Sequence, residues 1–551
     1  MSGTRKASDV SGASFQTLAR QLDKLPPCQA QCPNGGDVRG WLGVIAQRDK
    51  NGMTLDAAYD EAWRMISELN PLPATVGRIC PHPCEDLCTR GDKDGALSIH
   101  SMERFLGDWG ISRSLPLPRV ESADYPESIG VVGSGPASLS FAYQMARRGY
   151  NVTMYEQREK PGGMLRYAIP DYRLPREVLD AEVRRILDLG IDLVSHGDVG
   201  GTIGIEELRE RHRLVFLGLG AQAARKLRIP GEDGPGVVAG IDYLLQRKNQ
   251  SASFAGKRVI VIGGGNTAID SARSARRDGG DVLLLYRRGE EDMPAIQEEV
   301  EDARREGIEF RFFVAPTRIE RTGDVVSSVH VQTMQPGQVD DTGRRKPEPV
   351  PGSLEKLPAD VVIAAVAQAP EWHGIDAIAK PGTWLRTAAD GKLDANLWAG
   401  GDDRGPGIAS GAIAQGRLAA EAAHAELRGL PQPALADPRK AVASSAVKTD
   451  YYPGGPRVES PRRPVEEWLT EAEVEIDKTL TCDEAQKEAG RCMSCGLCFD
   501  CQQCFMYCNQ SGFTRIEKTH AGHYFAMALD ACEGCGKCIE ICPCGYLEAR
   551  D

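Results

Sequence analysis

All seventeen cysteines of the 551-residue chain lie near its two ends. Five fall between Cys28 and Cys88, twelve between Cys482 and Cys544, and residues 89–481 contain none. No other feature restricts the fold as much. Disulfide frameworks belong to small secreted chains, whereas clustered, short-spaced cysteines in a long chain point to metal or iron–sulfur ligation. The tail carries two runs of the ferredoxin pattern C-x2-C-x2-C-x3-C: Cys498, Cys501, Cys504, Cys508 and Cys532, Cys535, Cys538, Cys542. In two-cluster ferredoxins the fourth cysteine of each run serves the other cluster. The expected quartets are therefore Cys498, Cys501, Cys504 with Cys542, and Cys532, Cys535, Cys538 with Cys508. Zinc sites use separated C-x2-C pairs and fit poorly. Asn509 stands where a proline usually follows the fourth cysteine. Cys492 and Cys495 are left over just upstream.

The cysteine-free middle must build its own cores, and a chain this long is expected to hold several domains. Two stretches read as strand, glycine turn and helix: "SIGVVGSGPASLSFAYQMARRGYNVTMYE" (128–156) and "KRVIVIGGGNTAIDSARSARRDGGDVLLLYRR" (257–288). They imply two Rossmann-like nucleotide domains in an α/β chain. A third such stretch, "LWAGGDDRGPGIASGAIAQGRLAAEAAHAEL" (397–427), lets the first domain be split around the second. The expected layout is a helical iron–sulfur domain at 1–115, opening on a flexible lead over 1–27. FAD-binding parts follow at 116–251 and 371–428 around an NAD(P)H-binding domain at 252–370. A Pro- and Arg-rich linker at 429–480 wraps or bridges, and an α+β ferredoxin-like domain occupies 481–551. Thr481 and Glu484 have capping-box spacing and predict a helix start. A net charge of −12 argues against nucleic acid. No apolar stretch is long enough to span a membrane, and no signal peptide is evident, so a cytoplasmic location is expected.

The strand ends distinguish the two nucleotides. Gly133, Gly135 and Ser138 form G-x-G-x-x-S, and Glu156 ends the second strand where an acid meets a ribose 2′-hydroxyl, which suits FAD. The second turn, Gly263, Gly265 and Ala268, is followed by Arg287 and Arg288. Arginine there favours NADP(H), with NAD(H) as the alternative. Asp402 is placed to bond the flavin's sugar–phosphate part. Flavin–disulfide reductases share this layout but need a redox cysteine pair, and residues 89–481 offer none. Flavin electrons must therefore leave through the terminal cysteines.

The motifs "NPLPATVGRICPHPCEDLC", "VVGSGPASL", "EKPGGMLRYAIPDYRLP", "VIGGGNTAID", "YRRGEEDMPA" and "AGGD", in that order, resemble the small (beta) subunit of glutamate synthase and its relatives. These relatives include the N-terminal half of dihydropyrimidine dehydrogenase and the large subunit of an NADH-dependent ferredoxin:NADP oxidoreductase. The resemblance covers roughly 28–428. It implies FAD, NAD(P)H and two N-terminal [4Fe–4S] clusters, so four clusters with the tail. It places Gly133, Ser134, Gly135, Pro136, Ala137, Glu156, Gly162, Gly163, Leu165, Arg173, Val199, Gly220, Gly401 and Asp402 at FAD, with Arg173 near the flavin ring. Gly263, Gly265, Asn266, Thr267, Arg287 and Arg288 are placed at NAD(P)H. It also makes Glu103, in "ALSIHSMERF", the fourth ligand beside Cys80, Cys84 and Cys88. The family's other cluster joins R-C-x2-C-G to C-x3-C-P. Here those halves are separated, so Cys492 and Cys495 are expected to fold back onto Cys28 and Cys32. Cys482 is then expected to be a buried helix residue and Cys544 a bystander.

The expected function is a subunit that exchanges hydride between NAD(P)H and FAD and passes single electrons through the clusters, in either direction. No catalytic acid or base is required. The partner is a catalytic subunit of an oxidoreductase complex, a ferredoxin, or both. The ferredoxin tail suits a 2-oxoacid oxidoreductase, which is the preferred partner, or a benzoyl-CoA reductase-type system, an aldehyde oxidoreductase or a dissimilatory sulfite reductase, and an amidotransferase-bearing glutamate synthase large subunit is the alternative.

Overall fold

A computed structural model describes residues 17–120, 124–249, 253–339, 343–375, 378–380 and 382–550. Two mainly parallel sheets form its centre. The first runs, edge to edge, Lys392–Asp394, Leu397–Ala399, Leu214–Leu217, Tyr125–Val132, Tyr150–Glu156, Asp192–Ser195. Only the Lys392–Asp394 pairing is antiparallel. Leu214–Leu217 is buried along its whole length, as a strand covered on both faces must be. Helices Pro136–Ala146 and Ala409–Arg428 share its core through Phe141, Ile413 and Ala420. The third glycine stretch thus packs its strand and helix onto the first sheet.

The second sheet runs Glu309–Arg311, Asp281–Leu285, Arg258–Ile262, Val361–Ala364, Val237–Ala239, all parallel. It recruits a strand upstream of the boundary expected at 252. Val237–Ala239 is only three residues long and gives little periodic signal. An antiparallel meander, Val314–Thr322, Val325–Val339 and Arg345–Pro358, is inserted before the strand Val361–Ala364. Ala223–Ala224 pairs with Gln368–Ala369 where the chain crosses between the two domains.

The N-terminal helices include Val38–Ala46, Leu55–Leu69, Pro73–Ile79 and Ile99–Ser112. Thr54 caps the second of these through Ala57 N, and Pro71 lies just past its end. Trp63, Leu72, Val76 and Ile79 join the core of the first sheet. Trp41, Ile45, Tyr59 and Phe105 form a separate core with Ala485 and Ala489. Those alanines lie on helix Cys482–Gly490, which opens on the Thr481–Glu484 capping box. By packing, this helix belongs to the N-terminal domain rather than to a ferredoxin unit starting at 481.

The expected flexible lead is shorter than 27 residues. Residues 1–16 lie outside the described residues, but Ala19–Gln21 is a strand antiparallel to Leu547–Ala549. Arg20 Nε bonds Glu548 at 2.9 Å across this pair. Three mostly polar residues carry no local strand signal, and the register comes entirely from the far end of the chain. The Pro- and Arg-rich segment is a strap. Arg462 bonds Asp302 at 3.0 Å on the second nucleotide domain. Glu475 pairs with Arg78 at 2.7 Å and Arg104 at 3.1 Å on the N-terminal one. Ile476 N donates to Tyr172 O at 3.2 Å. One segment therefore fastens three domains.

Candidate functional site

A cavity lies between the nucleotide domains. Turn 133–137, Glu156, Gly163, Leu165, Arg173, Val199 and Gly220 line it from the first domain, with Gly401 and Asp402 from the third glycine stretch. Asn266, Thr267 and Asp270 line it from the second. Gly133 has φ 80°, and a Cβ there would lie 2.3 Å from Gly218 O, so only glycine makes this turn. Gly163 has φ 52° and passes Gly135 so closely that a Cβ would lie 2.8 Å from its Cα. Backbone without side chains on both sides of a helix N-terminus leaves room for a pyrophosphate. Ser134 Oγ donates to the buried Glu156 and accepts from Gly162 N at 2.9 Å. Gly162 thus supports the cavity from behind its wall. Ser138 sits beneath the turn, its hydroxyl on Val132 O at 3.2 Å.

Two acids that the sequence reading missed complete this site. Asp403 is wholly buried and accepts from Leu219 N at 3.1 Å and from Gly220 N. Burial, opposed by those amides, pushes its carboxyl up to about 7. Asp270 takes a two-bonded ion pair from Arg173 Nη1 at 2.8 and 3.0 Å, across the two domains. Its signal was an acid on an otherwise small, buried helix face. Gly263, Gly265, Arg287 and Arg288 do not line this cavity. Arg287 is exposed two residues past the end of strand Asp281–Leu285. Arg288 corrects the paired-arginine expectation: it is buried, and its Nε bonds Arg345 O at 3.0 Å on the meander. Its guanidinium is committed to the backbone of an insertion that a local motif cannot reveal.

The sixteen expected cluster ligands converge into four groups of four. Site I gathers Cys32, Cys80, Cys84 and Glu103 in one cavity. Site II gathers Cys28, Cys88, Cys492 and Cys495. Site III gathers Cys498, Cys501, Cys504 and Cys542, with Cys544 lining the same cavity. At site IV, Cys538 faces Cys532, Cys535 and Cys508. The tail exchange of Cys508 and Cys542 is present. The N-terminal grouping is corrected: Cys32 and Cys88 trade places relative to the expectation from C-x3-C runs. Each of the two short helices, Pro27–Gln31 and Pro83–Asp86, lies beside two sites, giving a sulfur to one from within (Cys28, Cys84) and to the other from just past its end (Cys32, Cys88).

Glu103 is buried among the cysteines, bonded by Asn70 Nδ2 at 2.9 Å, and burial pushes its carboxyl up to about 7. Burial likewise pushes Cys80 and Cys492 up to about 12. Buried thiols that crowd one another match a group that replaces their protons with a cation, and thiolate-rich sets select iron–sulfur clusters or zinc. Cys482 is a further correction. It is exposed at the first turn of its helix, because the apolar face of that helix is carried by Ala485 and Ala489. Cys544 is buried, with Sγ 3.8 Å from that of Cys542.

Two nucleotide domains sharing one cavity, a set of three cysteines and a glutamate beside its wall, and no cysteine in residues 89–481 to form a redox disulfide define a flavin-dependent pyridine-nucleotide oxidoreductase with iron–sulfur centres. The family model for pyridine nucleotide-disulphide oxidoreductases matches residues 127–416, and that for dihydropyrimidine dehydrogenase domain II, 4Fe-4S cluster, matches residues 20–115. The chain belongs to the pyridine nucleotide-disulphide oxidoreductase family and is an FAD- and iron–sulfur-dependent NAD(P)H oxidoreductase of the glutamate synthase small-subunit type.

It is 32% identical over 535 residues to the NADP(+)-dependent formate dehydrogenase subunit beta of Moorella thermoacetica, covering 90% of this chain and 73% of that one. It is 34% identical over 427 residues to the small chain of the NADPH glutamate synthase of Azospirillum brasilense, covering 73% of this chain and 86% of that one. It is 36% identical over 379 residues to the NADPH-Fe(3+) oxidoreductase subunit beta of Geobacter sulfurreducens, covering 67% of this chain and 54% of that one. Among the described residues no helix is long and apolar enough to cross a membrane.

Proposed function

We propose that the chain is the pyridine-nucleotide subunit of a larger oxidoreductase, holding four [4Fe–4S] clusters at sites I–IV in one file. The observation that carries this reading is the adjacency of site I to the flavin cavity. Ile79 and Pro81 line that cavity, and Cys80 between them belongs to site I. From there the file is covalently stitched. Cys28 and Cys32, and Cys84 and Cys88, bridge sites I and II. Cys495 and Cys498 bridge sites II and III. Cys504 and Cys508, and Cys538 and Cys542, bridge sites III and IV. Cys535 of site IV is exposed, which makes that site the outlet.

FAD supplies the change from hydride chemistry to single electrons. The protein holds the two nucleotide domains in register through Arg173 and Asp270, and the close-packed turns at Gly133 and Gly163 line the cavity between them. Arg287 provides the charge that selects NADP(H).

The partner is a catalytic subunit that gives or takes single electrons at site IV. A catalytic subunit that oxidises a 2-oxoacid or formate fits this outlet, and the likeness to a formate dehydrogenase subunit spans 90% of this chain. The second reading, a glutamate synthase small subunit, is supported by the match to such chains, which spans only 73% of this one. Anaerobic affinity purification of the full chain, with identification of the bound subunits and an iron count, tests the proposal. About sixteen irons and an oxidoreductase subunit are expected. An amidotransferase-bearing partner would establish the second reading, and zinc in place of iron would end both.

A further inference from the structure

Three of the four sites share a feature that ligation does not require. In each, a buried side chain with a proton to give stands against one ligand sulfur. At site I the Ser410 hydroxyl lies 3.6 Å from Cys80 Sγ. At site II Thr89 Oγ1 lies 3.4 Å from Cys495 Sγ. At site III Cys544 Sγ lies 3.8 Å from Cys542 Sγ. Ser410, Thr89 and Cys544 are 4%, 9% and 2% exposed, so water competes little for these contacts. At site IV the corresponding donor is backbone, Gly512 N at 3.3 Å from Cys508 Sγ.

The direction of the three bonds follows from the chemistry of ligation. A cysteine bound to iron is a thiolate and has lost its proton. The proton in each pair must then belong to Ser410, Thr89 or Cys544, and the ligand sulfur accepts. A reduced cluster carries one more negative charge than an oxidised one. A donor aimed at its sulfur stabilises the reduced form and raises the potential.

The three donors come from three unrelated places. Ser410 sits at the start of helix Ala409–Arg428, next to the flavin cavity. Thr89 follows Cys88. Cys544 lies two residues past Cys542, and its carbonyl accepts from Gly496 N at 2.6 Å, which holds it at the junction of sites II and III. No single sequence motif explains all three.

We propose that Ser410, Thr89 and Cys544 are positioning residues for electron flow, each donating a hydrogen bond to one cluster ligand and setting the potential of that cluster alone. This rests on the assignment of clusters to sites I–III. The test is a redox titration of the anaerobic, fully loaded chain, followed by electron paramagnetic resonance. The variants are Ser410→Ala, Thr89→Val and Cys544→Ala, each beside a donor-keeping counterpart, Ser410→Thr, Thr89→Ser or Cys544→Ser. Each donor-removing variant should keep its iron and move one cluster's midpoint to lower potential. Each counterpart should stay near the wild-type value. Unmoved midpoints at full iron would overturn the proposal. Where a donor-removing variant loses its cluster, the counterpart decides: a wild-type midpoint supports the hydrogen bond, and a shifted one overturns it. A wild-type iron count well under about sixteen is the separate sign that the cluster assignment itself has failed.

Discussion

Helices Pro73–Ile79 and Ile99–Ser112 cross at two glycines, and the crossing sets the spacing of site I. A Cβ on Gly77 would lie 2.3 Å from Arg104 N, and one on Gly107 would lie 2.1 Å from Ala74 N. Cys80 caps the first helix, and Glu103 immediately precedes the residue that Gly77 touches. Gly77→Ala must open the crossing by about 1.2 Å to reach an ordinary contact of roughly 3.5 Å. Metal–ligand distances tolerate only about 0.2 Å, so Glu103 and Cys80 could no longer serve one cluster. Stability moves the same way. Overpacking costs about 1–3 kcal/mol, against about 1 kcal/mol gained from replacing a helical glycine with alanine. The expected outcome is a net loss of up to about 2 kcal/mol and an iron-to-flavin ratio lower by about one quarter, the share of one cluster in four. Iron and flavin analysis of the purified chain, with a thermal melt, provides the check. Gly91→Ala is the control, since a Cβ there meets nothing within 4 Å. A Gly77→Ala chain that keeps all its iron and melts above wild type would refute the reasoning.

Cys32→Ser should perturb the cluster nearest the flavin and leave Cys492 and Cys495 ligated, while Cys88→Ser should do the reverse. Resonance spectra of the two variants would be interchanged if the grouping were the one the C-x3-C runs suggest. Arg287→Ala should raise KM for NADPH several-fold with little change for NADH, and steady-state kinetics with both nucleotides measure it. Arg288→Ala should instead lower the melting temperature, because Arg288 holds the Arg345 carbonyl. Asp403 offers a pH signature. Its folded carboxyl is pushed up to about 7 by burial, so the folded chain keeps a proton that the unfolded chain releases near its ordinary value of 3.8. Stability from this group is therefore present below roughly pH 4 and lost as pH rises towards about 7, by up to about 4 kcal/mol. Asp403→Asn lacks that loss. Melting curves from pH 5 to 8 should show the variant gaining on wild type, and a constant difference would contradict the assignment.

What the sequence disclosed was local. The turns at Gly133 and Gly263, the acid at Glu156 and the tail runs are short motifs whose spacing carries their chemistry. The split of the first domain was legible because the third glycine stretch repeats the strand–turn–helix pattern. The grouping of Cys32 and Cys88 was not legible. A C-x3-C pair looks like two ligands of one site, yet its helix lies between two sites and serves both. The tail obeys the same exchange between Cys508 and Cys542, so the rule was available and was applied at only one end. Arg288, Asp270 and Ser410 escaped for another reason. Their partners are Arg345, Arg173 and Cys80, which are distant in sequence and meet only once the domains pack.

Site II has a consequence for how the protein is made. Cys28 and Cys88 leave the ribosome long before Cys492 and Cys495. At about 5–20 residues per second the wait between Cys28 and Cys492 is roughly 20–90 s. Throughout that time the first two thiols have no partners, and the strand Ala19–Gln21 has no Leu547–Ala549 to pair with. A chain released early can fold its nucleotide domains but cannot complete the second centre of the file. In the proposed file its electrons would reach site I, whose ligands all precede residue 104, and find no second centre beyond it. In the proposed file, completion of the second centre is therefore tied to synthesis of the tail.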